Sequence, residues 1–357
     1  MIEICVSDNN STDFTEEVLK KWQKKLPIIH SKNEENVGYD RNVITVGWLA
    51  SGTYIWYLGD DDALAKGTLK KVTEDLKRFG SPDMKAVYIN ALLKNRWITK
   101  CPFEEFRRIE KEKLNVKPNV SFGGSICIRK DGLEKITEGI EIKSGMLFKK
   151  EYGDFVLNDF VHSYLFMESL KSSRYIGIAP NYGIVVIADG NRQISYKKKL
   201  YLELIITKYV LEVKKYYPWF NEAETIVDSK TRVIGRTFIN SSLVSQRPDL
   251  TELFNAFQNV LLKILDIENR KFEIVVLKSF EAFRKVPGAK MVVFSLFRIV
   301  KFVYKMPFEN KNEDDPILNK NIEYALTSVN RLLQIDLNPN SIRPKANNEL
   351  TAGNSSD

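Results

Sequence analysis

The sequence is short of the residues that staple or ligate. Cys5, Cys101 and Cys127 lie far apart with no C-x-x-C spacing, and there are only two histidines. Neither a disulfide framework nor a zinc cluster is supported, and a reducing, cytosolic setting is expected. Long apolar runs are also missing. No stretch reaches the roughly 18–20 uninterrupted apolar residues of a bilayer span, and the opening MIEICVSDNN is not laid out as a signal peptide. There is no helix-turn-helix signal, zinc finger or glycine-flanked aromatic pattern, so nucleic acid is not an expected partner. No internal repeat is evident.

What is present is an ordinary globular composition. The 357 residues are 43% hydrophobic, enough to bury a substantial core in one large or two smaller domains. The formal net charge of +8 favours an anionic partner, either a membrane surface or a phosphorylated substrate.

The first part alternates short β-rich runs with amphipathic stretches, which predicts an α/β domain on a largely parallel sheet. Strands are expected at Ile2–Ser7, Ile28–Ser31, Tyr54–Leu58, Ala86–Asn90 and Ser125–Ile128, and helices at Thr15–Leu26, Arg41–Ala50 and Lys66–Arg78. From about Tyr196 the pattern becomes helical, with Leu202, Ile206, Tyr209, Val213 and Tyr217 along one face. The expected division is residues 1–195 as the α/β domain and 196–308 as a helical region. Residues 309–357 should form a polar linker, a short helix and a disordered tail.

The sharpest chemical signal is Gly59-Asp60-Asp61-Asp62 after the apolar run Tyr54–Leu58. Open α/β sheets place ligands at the carboxyl ends of strands. Three clustered carboxylates resist full ionisation unless a cation is bound, and oxygen ligands of this kind suit Mg²⁺ or Mn²⁺ completed by substrate phosphates. Taken alone, the triplet is more simply read as a solvated turn capping the next helix. It is not alone, because Ser7-Asp8-Asn9-Asn10-Ser11-Thr12-Asp13 and Asn36-Val37-Gly38-Tyr39-Asp40-Arg41-Asn42 precede it in order.

In order, spacing and letters these three segments resemble the successive motifs of family 2 glycosyltransferases. The form LGDDD after NVGYDRN is similar to the abequosyltransferase-like branch of surface-polysaccharide synthesis. The resemblance implies the GT-A fold, a Rossmann-like mixed sheet, and a metal-dependent, hexosyltransferase-type enzyme. Such an enzyme moves a sugar from a nucleotide-diphosphate donor to a saccharide or lipid-linked acceptor with inversion. It implies nucleotide contacts from Asp8, Asn10, Asn36, Gly38, Arg41 and Asp60, with Asp61 and Asp62 on the metal. Such enzymes open with a strand and helix ahead of SDNNSTD, written like IPTYNR, whereas this chain begins at the second strand; a truncated start is expected. A truncated, non-catalytic relative acting as a membrane scaffold is the alternative.

Inverting transfer also needs a carboxylate base. Asp154 and Asp159 are the candidates, with Asp154 placed first. His162, three residues after Asp159, could orient the acceptor or simply pack. Gly123 and Gly124 could admit the acceptor to the backbone or form a plain turn. Asp189-Gly190-Asn191-Arg192 could close over the diphosphate or be an ordinary surface loop. In Lys290–Met306 four cations fall within roughly 80° of a helix otherwise largely apolar, which suits either a headgroup-level membrane helix or a core helix with one wet edge.

Overall fold

The structure, a computed structural model, describes residues 2–93, 96–143, 146–150, 154–155, 159–186, 196–217, 219–220, 248–267, 270–284 and 316–334. The elements run β1 (Ile4–Asp8), α1 (Thr15–Gln23), β2 (Ile28–Lys32), α2 (Tyr39–Leu49), β3 (Tyr54–Trp56), β4 (Asp62–Leu64), α3 (Thr68–Phe79) and β5 (Ala86–Leu93). They continue through β6 (Arg96–Trp97), β7 (Arg107–Glu110), β8 (Ile126–Arg129), α4 (Lys130–Thr137), β9 (Ile140–Lys143), β10 (Met146–Lys149) and β11 (Asp154–Phe155). Then come α5 (Val161–Lys171), β12 (Tyr175–Val186) and α6 (Tyr196–Tyr216), followed by helices Thr251–Ile267, Lys271–Arg284 and Pro316–Gln334.

The main sheet is mixed, with strand order β3-β8-β5-β12-β4 and the short strands β6 and β7 attached to β5 and β12. The expectation of a largely parallel sheet is corrected here. Only β5 and β12 pair parallel within it, while β3–β8, β5–β8, β12–β4, β12–β7 and β5–β6 are antiparallel. Short return strands flanking a buried centre need no crossover helix, and that flips the sense of pairing. Strands β1 and β2 form a separate parallel pair. Among the described residues β1 and β3 are each paired along one edge only.

The central strands are buried on both faces. Along β5, Ala86 and Tyr88 join a core shared with α2, α4, α5 and α6, while Val87, Ile89 and Ala91 face a smaller core under α3. That is the two-residue alternation of a strand enclosed on both sides. The larger core continues without a break into Leu200, Leu204 and Tyr209 of α6, Tyr217 just beyond it, and Phe254, Phe257 and Leu261 of the next helix. Helix α6 is buried around most of its circumference, beyond the single face expected from its periodicity, and encloses the ion pair Lys208–Glu212 at 2.6 Å.

By contrast, α1 buries no residue, and Phe14, Val18 and Trp22 stay exposed. Helix α2 begins at Tyr39, earlier than expected, because Gly38 turns the chain with φ +84°, a conformation that side-chain-bearing residues rarely adopt.

β12 contains an irregularity that matters below. Its register on β5 steps from Ala179↔Ile89 to Ile184↔Ala91, so several β12 residues bulge out. Asn90 staples the bulge. Its amide donates to the carbonyls of Pro180 and Thr99, both at 2.8 Å, and its oxygen accepts the Thr99 amide at 3.1 Å.

Candidate active site

The first two motif segments form one polar network. Ser7 donates to Oδ1 of Asn42 at 2.7 Å, and Asn42 returns a bond to the Ser7 carbonyl at 3.1 Å. Asn9 is the hub. Its amide donates to Oδ1 of Asn36 at 2.8 Å, while its oxygen accepts the Val37 amide at 2.9 Å and Nδ2 of Asn33 at 3.1 Å.

Asp8 ends β1 beside this network and is buried. Burial opposes its charge, but hydrogen bonding from Ser11 and the charges of Lys32 and His30 outweigh that and hold its carboxyl below the usual range. Oδ1 accepts the Ser11 amide at 2.7 Å, and Lys32 stands 3.7 Å from Oδ2. Oδ2 has no hydrogen-bond donor although it is sealed from solvent. A buried acceptor in this state is suited to receive a ligand N–H. Asn10 adopts the left-handed conformation, φ 64°, which asparagine tolerates better than most residues. Arg41 projects from the exposed side of α2.

The acidic turn wraps Gly59. A Cβ there would lie 2.8 Å from the Asp61 carboxylate and 3.1 Å from that of Asp62, so any side chain at this position would push the two carboxylates aside. Asp62 opens β4, paired with Val186 of β12, while Asp60 and Asp61 are exposed. Burial, then the charges of Asp61 and Asp60, push the Asp62 carboxyl up to about 6. An all-oxygen set under mutual repulsion fits a hard divalent cation. Among the described residues no three-ligand cage is preformed.

The second motif reaches across to α5. The Nε2–H of His162 donates to the Ser121 carbonyl at 3.1 Å, which leaves Nδ1 to accept the Tyr39 hydroxyl at 2.8 Å. Burial lowers the imidazole pKa to about 4, so the ring is neutral. Both its nitrogens are thus engaged within the protein. Gly123 lies directly beside the pair, since a Cβ there would sit 3.3 Å from the Tyr39 hydroxyl and 3.7 Å from the His162 ring. Gly124 is buried, and its carbonyl accepts the Trp56 indole N–H at 2.8 Å. The two glycines form a short 3₁₀ turn with Ser125 rather than an open hairpin.

Asp40, the neighbour of Tyr39, is buried and accepts the backbone amides of Asp159 at 2.9 Å and Val161 at 3.3 Å. Burial and then the charge of Asp159 raise its pKa far above the carboxylate range. Asp159 adopts φ 66°, and its Oδ2 accepts the Tyr201 hydroxyl from α6 at 2.7 Å. The Tyr39 hydroxyl is shifted upward by burial and by the charges of Asp40, Asp159 and Asp61. The acidic turn and Asp159 therefore bear on one hydroxyl. Asp154 lies in β11, paired with Lys149 of β10. The loop Asp189–Arg192 and the stretch Lys290–Met306 lie outside the described residues.

Residues 1–137 match the family model Glycosyl transferase family 2. That match takes in the elements from β1 to α4 and the acidic turn after β3, and leaves out β12 and α6. The family 2 segment holds all three motif loops and the Gly123–Gly124 turn, but ends before Asp159 and Tyr201. The abequosyltransferase RfbV of Salmonella typhimurium is 51% identical over 70 residues, which is 19% of this chain and 21% of that protein. Two solved structures align over more of the chain at low identity. S. aureus TarS 1-349 in complex with UDP shares 14% identity at a TM-score of 0.45, covering 87% of this chain and 85% of its own. The mannosyltransferase PcManGT from Pyrobaculum calidifontis, in complex with GDP-Man and Mn²⁺, shares 11% at 0.42, covering 92% and 76%.

The asparagine hub, Tyr39, Asp40 and Tyr201 were not singled out by the sequence. Asp40 left a trace there, because it stands at helical spacing from the buried Ile44 and Gly47 and so occupies the core-facing stripe of α2. Tyr201 left none, since its partner is distant in the chain.

Proposed function

We propose that the protein is a metal-dependent, inverting glycosyltransferase that moves a sugar from a nucleoside-diphosphate donor to a saccharide or lipid-linked acceptor of a surface polysaccharide. One observation carries this reading: the family match over residues 1–137 takes in all three motif loops, and Asp40 of the second motif accepts the backbone amide of Asp159.

In this reading Asp8 receives an N–H of the nucleotide base on its unpartnered oxygen, and the loops carrying Asn10, Asn36, Gly38, Arg41 and Asp60 enclose the nucleotide. Asp61 and Asp62 would hold Mg²⁺ or Mn²⁺, which when bound supplies charge neutralisation to the leaving diphosphate. Asp159, rather than Asp154, takes the acceptor hydroxyl proton as the acceptor oxygen bonds to the anomeric carbon and the diphosphate departs. Asp159 is preferred because its amide bonds to Asp40 of the second motif and its carboxylate accepts the Tyr201 hydroxyl. Gly123 leaves room for the acceptor beside Tyr39, and His162 fixes that tyrosine. The likeness to an abequosyltransferase puts an abequosyl donor first in any substrate panel. The net charge of +8 favours an acceptor presented at an anionic membrane surface.

The test is nucleoside diphosphate release from a panel of nucleotide sugars, with and without Mn²⁺. Release that depends on metal and is lost in Asp61→Ala with Asp62→Ala supports the reading. Undiminished release by that double variant sinks it.

A further inference from the structure

We propose that Tyr201, on the first helix beyond the α/β region, is a positioning residue of the transfer reaction, acting through Asp159. It holds Oδ2 of the carboxylate so that Oδ1 is presented to the acceptor hydroxyl. This rests on the reading of Asp159 as the base.

Three observations carry it. Asp159 is in the left-handed conformation, which costs a side-chain-bearing residue about 1 kcal/mol or more. Such a conformation persists only where its surroundings over-determine it. Asp40 supplies one restraint, since its two oxygens accept the amides on either side of Phe160 and fix the turn that leads into α5. The turn alone leaves the Asp159 side chain free to rotate, and the second restraint is the Tyr201 hydroxyl, 2.7 Å from Oδ2. Tyr201 is only 6% exposed, so its ring is locked by packing and its hydroxyl cannot swing to solvent. A donor fixed in a packed ring orients a carboxylate as outer partners orient a ligating histidine.

The test uses the full chain with Tyr201→Phe, which keeps the ring, and Asp159→Asn as the control on the base. Expected for Tyr201→Phe is a kcat lower by about 10–100-fold, the size seen when an orienting outer partner is removed. The donor KM and the thermal stabilisation by nucleoside diphosphate with Mn²⁺ should be unchanged. A fall in kcat at constant donor KM and constant nucleotide stabilisation is a split that general loss of packing does not produce. A Tyr201→Phe kcat within twofold of wild type, or a fall in kcat matched by weakened donor KM and lost nucleotide stabilisation, alongside an inactive Asp159→Asn, overturns the proposal and leaves the base in place. Near-normal turnover by Asp159→Asn overturns the base assignment and this proposal with it.

Discussion

The two ends of the α/β region are held by different means. Around β5, β8 and β12 the chain is packed apolar matter, with Val87, Ile89, Ile126 and Ile128 fully enclosed. Around β1, α1 and β2 almost nothing apolar is enclosed, Phe14 is 74% exposed, and order comes from Ser7, Asn9, Asn33, Asn36 and Asn42 bonding to one another. One region is rigid through packing. The other is shaped by hydrogen bonds that water can replace, as expected where a ligand must enter and complete the structure.

The largest effect should come from the packed side. Leu165→Ala, at a fully buried position, is expected to cost about 2–5 kcal/mol in chemical denaturation; a loss near zero would mean the core there is loose. Next is a pH effect at His162, where the two regions meet. Its folded pKa of about 4 lies below the unfolded value of 6.5, so the unfolded chain binds the extra proton between them. The stability present above pH 6.5 is therefore lost as pH falls toward 4. Denaturation midpoints across that window should drop in wild type and drop less in His162→Gln.

Asn9→Ala strips the hub and should cost about 1 kcal/mol while weakening nucleotide binding in a titration. Unchanged binding would detach the asparagine network from the donor. Smallest is Trp22→Ala, expected within about 0.5 kcal/mol because the ring is largely in solvent. A large loss would reveal a hidden partner for α1. Amide exchange sharpens the contrast further: Ile4–Asp8 should exchange far faster than Val87–Ile89, and nucleotide with Mn²⁺ should narrow the gap.

The sequence displayed the parts of the site that are local. SDNNSTD, NVGYDRN and LGDDD each lie within a single loop, and their chemistry reads off neighbouring letters. It also displayed the early strands and helices to within a few residues. What it hid depends on distance along the chain. Periodicity alone suggested a largely parallel sheet, because nothing local marks β8 as antiparallel to both β3 and β5, whereas the family resemblance implied the mixed sheet that is found. Tyr201 meets Asp159 across 42 positions, and no local pattern encodes that meeting. Asp40 was passed over because a carboxylate in a recognised motif reads as a surface charge, although its helical phase points inward.

The staple made by Asn90 has a consequence for the acidic turn. By fixing how much of β12 loops out, one buried amide in the central strand bears on which β12 residue lies opposite Asp62. A slip of a single residue would turn every side chain of the outer half-strand to the opposite face. The placement of an acidic group at the sheet's edge is thus tied to a hydrogen bond two strands away.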